Sequence, residues 1–292
     1  MSIAVLIGVH DGLVLAADSA STLTISVAPG MVTGVANVYD NANKIFNLYK
    51  GLPIGCVIFG AGSIGNSSIG TLIKDLRAAL MDKEKRERLQ IEFDPKNYTM
   101  EAVSKIVANF LVHECQSQPP ASLLGMNIGL LLGGYSTDSS LGESWSVEIK
   151  PGGKATEPKQ LRPPDQPGIS WGGAAEVLQR IVLGYSPGLF QVLAEVSGAQ
   201  GQPHVSAQQL HDQLNVLLTA RLQAPLVFAP MPIQDAIDLG RFLVHAATMY
   251  SRFLPGAQTV GGPIEIAAIT KHENFKWISR KHYFDQSFNP GA

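Results

Sequence analysis

The chain has 292 residues, 45% hydrophobic and only 16% charged, with a formal net charge of −2. This length fills one large domain or two small ones, and the near-neutral balance offers no electrostatic footprint for nucleic acid or an anionic membrane. Cys56 and Cys115 lie far apart without CxxC spacing, which argues against a disulfide scaffold or a zinc site and makes the reducing cytoplasm the expected compartment.

An apolar run, Ile3–Val9, opens the chain. No positive residue precedes it, and His10-Asp11-Gly12 interrupts it well short of the ~20 residues of a membrane helix. It reads as a strand that pairs, across that turn, with a second apolar run over 13–17. Both runs are apolar on both faces, so the sheet they enter is expected to be covered on both sides. Residues 19–39, rich in Thr, Val and Gly, read as a loop or an excursion of strands. Residues 44–48 and 54–59 form a second strand pair around Lys50-Gly51-Leu52-Pro53.

Glycines 60, 62 and 65 lead into a helix marked by Ile69, Leu72, Ile73, Leu76 and Leu80, which the charged run 82–88 ends. A second helix covers 98–114, with Val103, Ile106, Val107, Phe110 and Leu111 on one face. Strands follow over 127–135 and 143–149. A strand end at 169–172 feeds a helix over 174–183. Residues 186–230 hold two further helical patterns, with Ser206 as an N-cap, and 198–203 reads as an exposed loop. A long helix over 232–250 and strands over 264–270 and 276–279 complete the chain. The order strands, helices, strands, helices, strands fits two antiparallel sheets between helix layers better than alternating βαβ units. The expected fold is therefore α+β, a four-layer αββα sandwich in one domain over 1–292, with a helical insertion near 186–229.

Chemistry begins at the N-terminus. Removal of Met1 before a small residue would leave Ser2 with a free α-amine, which places a nucleophile and a base of pKa about 7.7–8.0 on one residue. Such a site also needs a positive group to hold the amine neutral and stabilise the alkoxide, and a carboxylate to orient that group. Serine after methionine is common and means little alone. Asp18, however, ends the second strand of the hairpin, where an antiparallel return brings it toward Ser2, and Lys44 is a lone cation opening the next strand.

Ser2-Ile3-Ala4-Val5 followed by His10-Asp11-Gly12-Leu13-Val14-Leu15-Ala16-Ala17-Asp18-Ser19 resembles the opening of proteasome β-subunits, which are N-terminal nucleophile hydrolases. Asn43-Lys44-Ile45-Phe46 resembles that family's catalytic Lys-Ile-Phe, and Ala61-Gly62-Ser63-Ile64-Gly65 its oxyanion-hole segment. Bacterial proteasome-like proteins such as Anbu and the β-proteobacterial homologue also begin directly after Met. The resemblance implies that Ser2 attacks the carbonyl and Lys44 lowers the hydroxyl's pKa. Asp18 would hold Lys44, and the Gly62 N–H would face the oxyanion. It further implies a polypeptide substrate, a homo-oligomeric ring or ring-like assembly, and no metal or organic cofactor.

Four features depart from the family pattern, one of them a stretch of extra residues between Asp18 and Lys44. The nucleophile is serine instead of threonine. The supporting Gly-Ser-Gly appears as Ser170-Trp171-Gly172-Gly173, so its serine either becomes Gly172 or shifts to Ser170. The late Asp-x-x-Ser-Gly-Gly becomes Ala257-Gln258-Thr259-Val260-Gly261-Gly262, with Thr259 as a partial substitute. Two other readings stay within the superfamily: a ring-forming subunit without catalysis, and a hydrolase of small amides. A more remote reading takes Gly60-Ala61-Gly62-Ser63-Ile64-Gly65 as a dinucleotide-binding GxGxxG, although the acidic strand expected ~20 residues later is replaced by the charged run 82–88. The seven histidines show no HExxH or Cys-paired spacing, so no metal site is expected.

Overall fold

The computed structural model describes residues 2–28, 31–199 and 205–282. In chain order the first strands are β1 (Ile3–Val9), β2 (Gly12–Ala17), β3 (Ser21–Ala28), β4 (Met31–Tyr39), β5 (Ile45–Asn47) and β6 (Ile54–Gly60). The short strands β7 (Ser63–Ile64) and β8 (Ser67–Ser68) lead into helices α1 (Ile69–Met81), α2 (Lys83–Arg88) and α3 (Met100–Gln116). Strands β9 (Ile128–Gly134), β10 (Glu143–Lys150), β11 (Lys154–Ala155), β12 (Lys159–Gln160) and β13 (Gly168–Gly173) come next. The remaining elements are α4 (Glu176–Leu178), α5 (Leu189–Ala199), α6 (Ala207–Leu222), α7 (Ile233–Phe253), β14 (Glu265–Thr270) and β15 (Asn274–Ser279).

These elements fall into two compact units. The first runs to Gly173 and resumes at Val227; the second is Ala174–Leu226. In the first unit, β1 and β2 form a hairpin closed by His10-Asp11, with Val9 opposite Gly12, and every residue of both strands is buried. None of these side chains is polar, so neither face can turn to water. One sheet has the order β13-β1-β2-β14-β15 and the other β11-β10-β9-β6-β5, with β12 also on β10; every pairing is antiparallel. The α+β class expected from the element order is what the chain adopts.

One apolar cluster joins the two sheets, with Leu6, Leu13 and Leu15 meeting Val57 and Leu131. Helix α7 lies on β1, β2 and β14. It approaches closely at Gly240, where a Cβ would stand 3.4 Å from the Ala16 methyl and 3.5 Å from Val14. Helices α1 and α3 share a second cluster with Cys56, Ile58, Leu130 and Leu132 of the other sheet. Both helices start on side-chain caps, Ser68 accepting from the Thr71 N–H and Thr99 from the Ala102 N–H.

Two expectations need correction. The charged run after α1 is itself helical. Asp82 caps α2 by accepting from the Glu84 and Lys85 N–H groups, and basic residues fill its last turn, so a helix forms with no buried residue. The dinucleotide reading fails on topology, because β6, which leads into the glycines, is flanked by antiparallel β5 and β9. A parallel βαβ unit is absent among the described residues.

The second unit contains α4, which passes into a π-helical turn over Gln179–Leu183 and stops at Gly184, in the left-handed region at φ +81°. Helices α5 and α6 pack through an edge-on contact of Phe190 with His211, and Ser206 forms a full capping box with Gln209. Of the loop expected over 198–203, residues 200–203 lie outside the described residues.

Candidate functional site

The register of the first hairpin sets Ala4 opposite Ala17, so Asp18 emerges beside Ile3. The Asp18 carboxylate has no solvent exposure and takes four donors, two on each oxygen. Oδ1 accepts from the Ile3 N–H at 2.9 Å and from Lys44 Nζ at 2.5 Å. Oδ2 accepts from the Ala20 and Gly261 N–H groups, each at 3.1 Å. A buried charge is tolerated only with this kind of complete partnering. Lys44 is 4% exposed and sits just before β5, where its own carbonyl accepts from the Ile58 N–H at 2.9 Å. Burial lowers the Lys44 ammonium from the usual lysine range, and the adjacent Asp18 opposes that shift.

Ser2 directly precedes Ile3 and is 8% exposed. Its main chain is held on two sides. The next N–H is bonded to Asp18, and its carbonyl lies against Gly173, where a Cβ would come within 1.9 Å of that oxygen. Gly173 also has φ +93°, so two independent constraints favour glycine there. Met1, whose removal the chemistry requires, lies outside the described residues.

Gly62 stands beside the strand that leaves Asp18: a Cβ built on it would be 3.6 Å from the Ser21 hydroxyl. Its peptide is fixed by the Ile69 N–H, which donates to the Gly62 carbonyl at 2.9 Å at the start of α1. Ser170 does not join the group. It pairs with Leu6, four residues along the chain from Ser2 and so roughly 13 Å away at strand rise. Its hydroxyl accepts instead from Arg162, whose guanidinium burial holds at a lowered pKa of about 10. The structure thus gathers Asp18, Lys44 and the chain at Ser2, brings Gly62 close to Ser21, and leaves Ser170 elsewhere.

Several residues around Asp18 escaped the sequence reading of the site. Ser19 is fully buried; its N–H donates to the Gly261 carbonyl at 2.8 Å and its hydroxyl to the Pro263 carbonyl at 2.6 Å. Lys281 donates to the same hydroxyl at 2.8 Å and pairs with Glu265 at 2.9 Å. Glu265 carried a signal, being a lone carboxylate in an otherwise apolar strand. Gly261 was visible only as part of a motif, not as a donor to Asp18. The segment 257–262 that supplies it also contains Thr259, whose buried hydroxyl has no hydrogen-bond partner. Residues 35–38 and Asp40 face Ala257, Gln258 and Gly262 across a cavity of about 510 Å³. Among the described residues, no cluster of three His, Cys, Asp or Glu side chains is placed to hold a metal ion. No helix among them is long and apolar enough to cross a membrane.

No protein-family model and no curated protein sequence matches the chain. Solved structures do. Anbu from Hyphomicrobium sp. strain MC1 is 17% identical, with 98% of this chain and 90% of that one covered at a TM-score of 0.49. The Gly-1 mutant of Anbu from the same strain is 16% identical, with 99% and 90% covered at a TM-score of 0.51. At this identity the likeness concerns the fold alone, and what it establishes is that the chain shares the proteasome-like fold of Anbu.

Proposed function

We propose that the chain is a cytoplasmic N-terminal nucleophile hydrolase that cleaves peptide bonds within a self-compartmentalising homo-oligomer. Its fold on this reading is the four-layer αββα sandwich, with the second unit as an insertion. The observation that carries the proposal is the single carboxylate of Asp18, which joins the N–H following Ser2 to the Lys44 ammonium. That linkage fixes a buried cation beside the chain terminus that Met1 removal would create. Ser2 Oγ attacks the substrate carbonyl while its proton passes through a water to the α-amine. The oxyanion is held by the Gly62 N–H, and the amine returns the proton to the leaving nitrogen. Water then hydrolyses the acyl-serine ester and regenerates both groups. Lys44, kept charged by Asp18, lowers the pKa of the Ser2 hydroxyl.

Intact-mass measurement of purified protein tests the first requirement, since a retained Met1 blocks the amine and rules the reading out. With Met1 absent, a β-lactone probe is expected to label Ser2. Ser2→Ala is expected to lower peptidase turnover by about 10³-fold or more. A second reading, a ring-forming subunit without catalysis, draws on Ala257 and Val260, which lack the polar groups of the resembling motif. It predicts no probe adduct and no turnover in the unmodified chain.

A further inference from the structure

Next to the bend that carries Asp18 lies a second pair of opposite charge, a buried carboxylate and a partly exposed ammonium. Glu265 opens β14, opposite Ala17 of β2, and is 1% exposed. Lys281 follows β15 and pairs with Glu265 at 2.9 Å, while the same ammonium donates to the Ser19 hydroxyl at 2.8 Å. Ser19 adjoins Asp18 and is anchored at every polar atom. Its hydroxyl also donates to Pro263, its N–H to Gly261, and its carbonyl accepts from the Ala42 N–H at 2.9 Å. Gly261, held by Ser19, in turn donates to Asp18. One Lys281 side chain therefore ties β14 to the bend that carries the Asp18 carboxylate.

We propose that Glu265 and Lys281 are positioning residues of the Ser2 site, holding Ser19 and Asp18 in place and balancing the charge felt by Lys44. This rests on the Ser2 reading for its catalytic meaning, though the coupling itself exists without turnover. The charged groups facing Lys44 are Asp18, Glu265 and Lys281. Lys281 disfavours the Lys44 cation, and Glu265 favours it to a smaller degree. A neutral pair would hold the bend equally well; a charged pair also sets how readily Lys44 keeps its proton. The two members act in opposite directions, which separates this role from a merely structural one.

The test is a ¹⁵N NMR titration of the Lys44 ammonium in the full chain with Met1 removed, alongside the pH profile of peptidase turnover. The variants are Glu265→Gln, Lys281→Met, Lys281→Arg and the Gln/Met double substitution. Lys281→Met is expected to raise the Lys44 midpoint and Glu265→Gln to lower it. The double variant should return close to the unmodified protein, and Lys281→Arg should preserve its value. The basic limb of turnover, where Lys44 loses its proton, moves with the midpoint, and turnover at neutral pH falls about tenfold in Lys281→Met, where the Ser19 hydroxyl loses its ammonium donor. Glu265→Gln keeps the side-chain volume and removes only the charge, so it carries the titration if Lys281→Met does not fold. An unmoved midpoint, or displacement in the same direction by both substitutions, overturns the proposal. Opposite displacements in a protein that never turns over peptide would uphold the coupling and overturn the Ser2 reading.

Discussion

Two hairpins lie next to each other in the chain and obey different rules. The β1–β2 hairpin pairs without interruption, is flanked by β13 and β14, and is buried on both faces. Among the described residues the β3–β4 hairpin pairs only with itself, shifts register at three points and exposes Leu23 and Ile25 by about half. An isolated two-stranded ribbon is marginal in water, and its register is weakly specified. The first hairpin gains its rigidity from neighbours on four sides, and that rigidity is what fixes Asp18 at its end. The second borders the 510 Å³ cavity with residues 35–38. On the proposed reading, fixed chemistry and an adjustable cavity wall would come from consecutive segments.

The largest blow to this contrast should come from Asp18→Asn. Oδ1 and Oδ2 each accept two donors, and an amide nitrogen at either place would face two N–H or ammonium groups while Lys44 stayed buried without its anion. We expect a loss of about 3–5 kcal/mol in denaturant unfolding, with turnover abolished. Leu15→Ala comes next. Leu15 is fully buried in the cluster that joins the two sheets, and its truncation is expected to cost about 2–5 kcal/mol. A cost below about 1 kcal/mol at Leu15 would mean that the first hairpin is no more constrained than the second.

Lys44 gives a pH test of the same rigidity. Its folded-state pKa is depressed by burial, so the native state releases this proton before the unfolded chain does. Stability therefore rises with pH between the depressed value and the unfolded value near 10.4, and the penalty on the buried cation is complete below that window. Subtracting the stability curve of Lys44→Met should isolate a rising limb in the alkaline range. A difference curve that is flat there would show that Lys44 titrates as it does in the unfolded chain.

The same contrast explains what could be read from sequence. β1 and β2 were legible because unbroken apolar runs around His10-Asp11-Gly12 point to a covered hairpin, whereas Asp18 and Lys44 stood out only through the resemblance to proteasome β-subunits, since their strand-end positions alone say little. The partners of Asp18 from 261 onward were not legible, because the contact of Gly261 depends on β14 lying beside β2, some 243 residues along the chain. Ser170 enters as a candidate through the resembling Gly-Ser-Gly segment, whose serine either becomes Gly172 or shifts to Ser170. Strand register carries it four residues away, opposite Leu6. The 19–39 segment lacked clean alternation, which is the sequence counterpart of its shifted register. A charged run has no apolar period to mark α2, and only the Asp82 cap reveals it as a helix.

The smallest effect is the one that tests the adjustable wall. Val35 lies on β4, faces the cavity and is 38% exposed. Val35→Ala removes apolar surface without opening a core, so unfolding stability is expected to stay within about 0.5 kcal/mol of the unmodified protein. If the cavity receives part of a peptide substrate, the lost contact weakens ground state and transition state alike. KM then rises about fourfold, as expected when one of the two carbon groups removed is in contact with substrate, while kcat holds. An unchanged KM would detach the cavity from substrate binding. An equal fall in kcat would mean that β4 takes part in the transition state, so that the second hairpin shares the fixed chemistry assigned to the first.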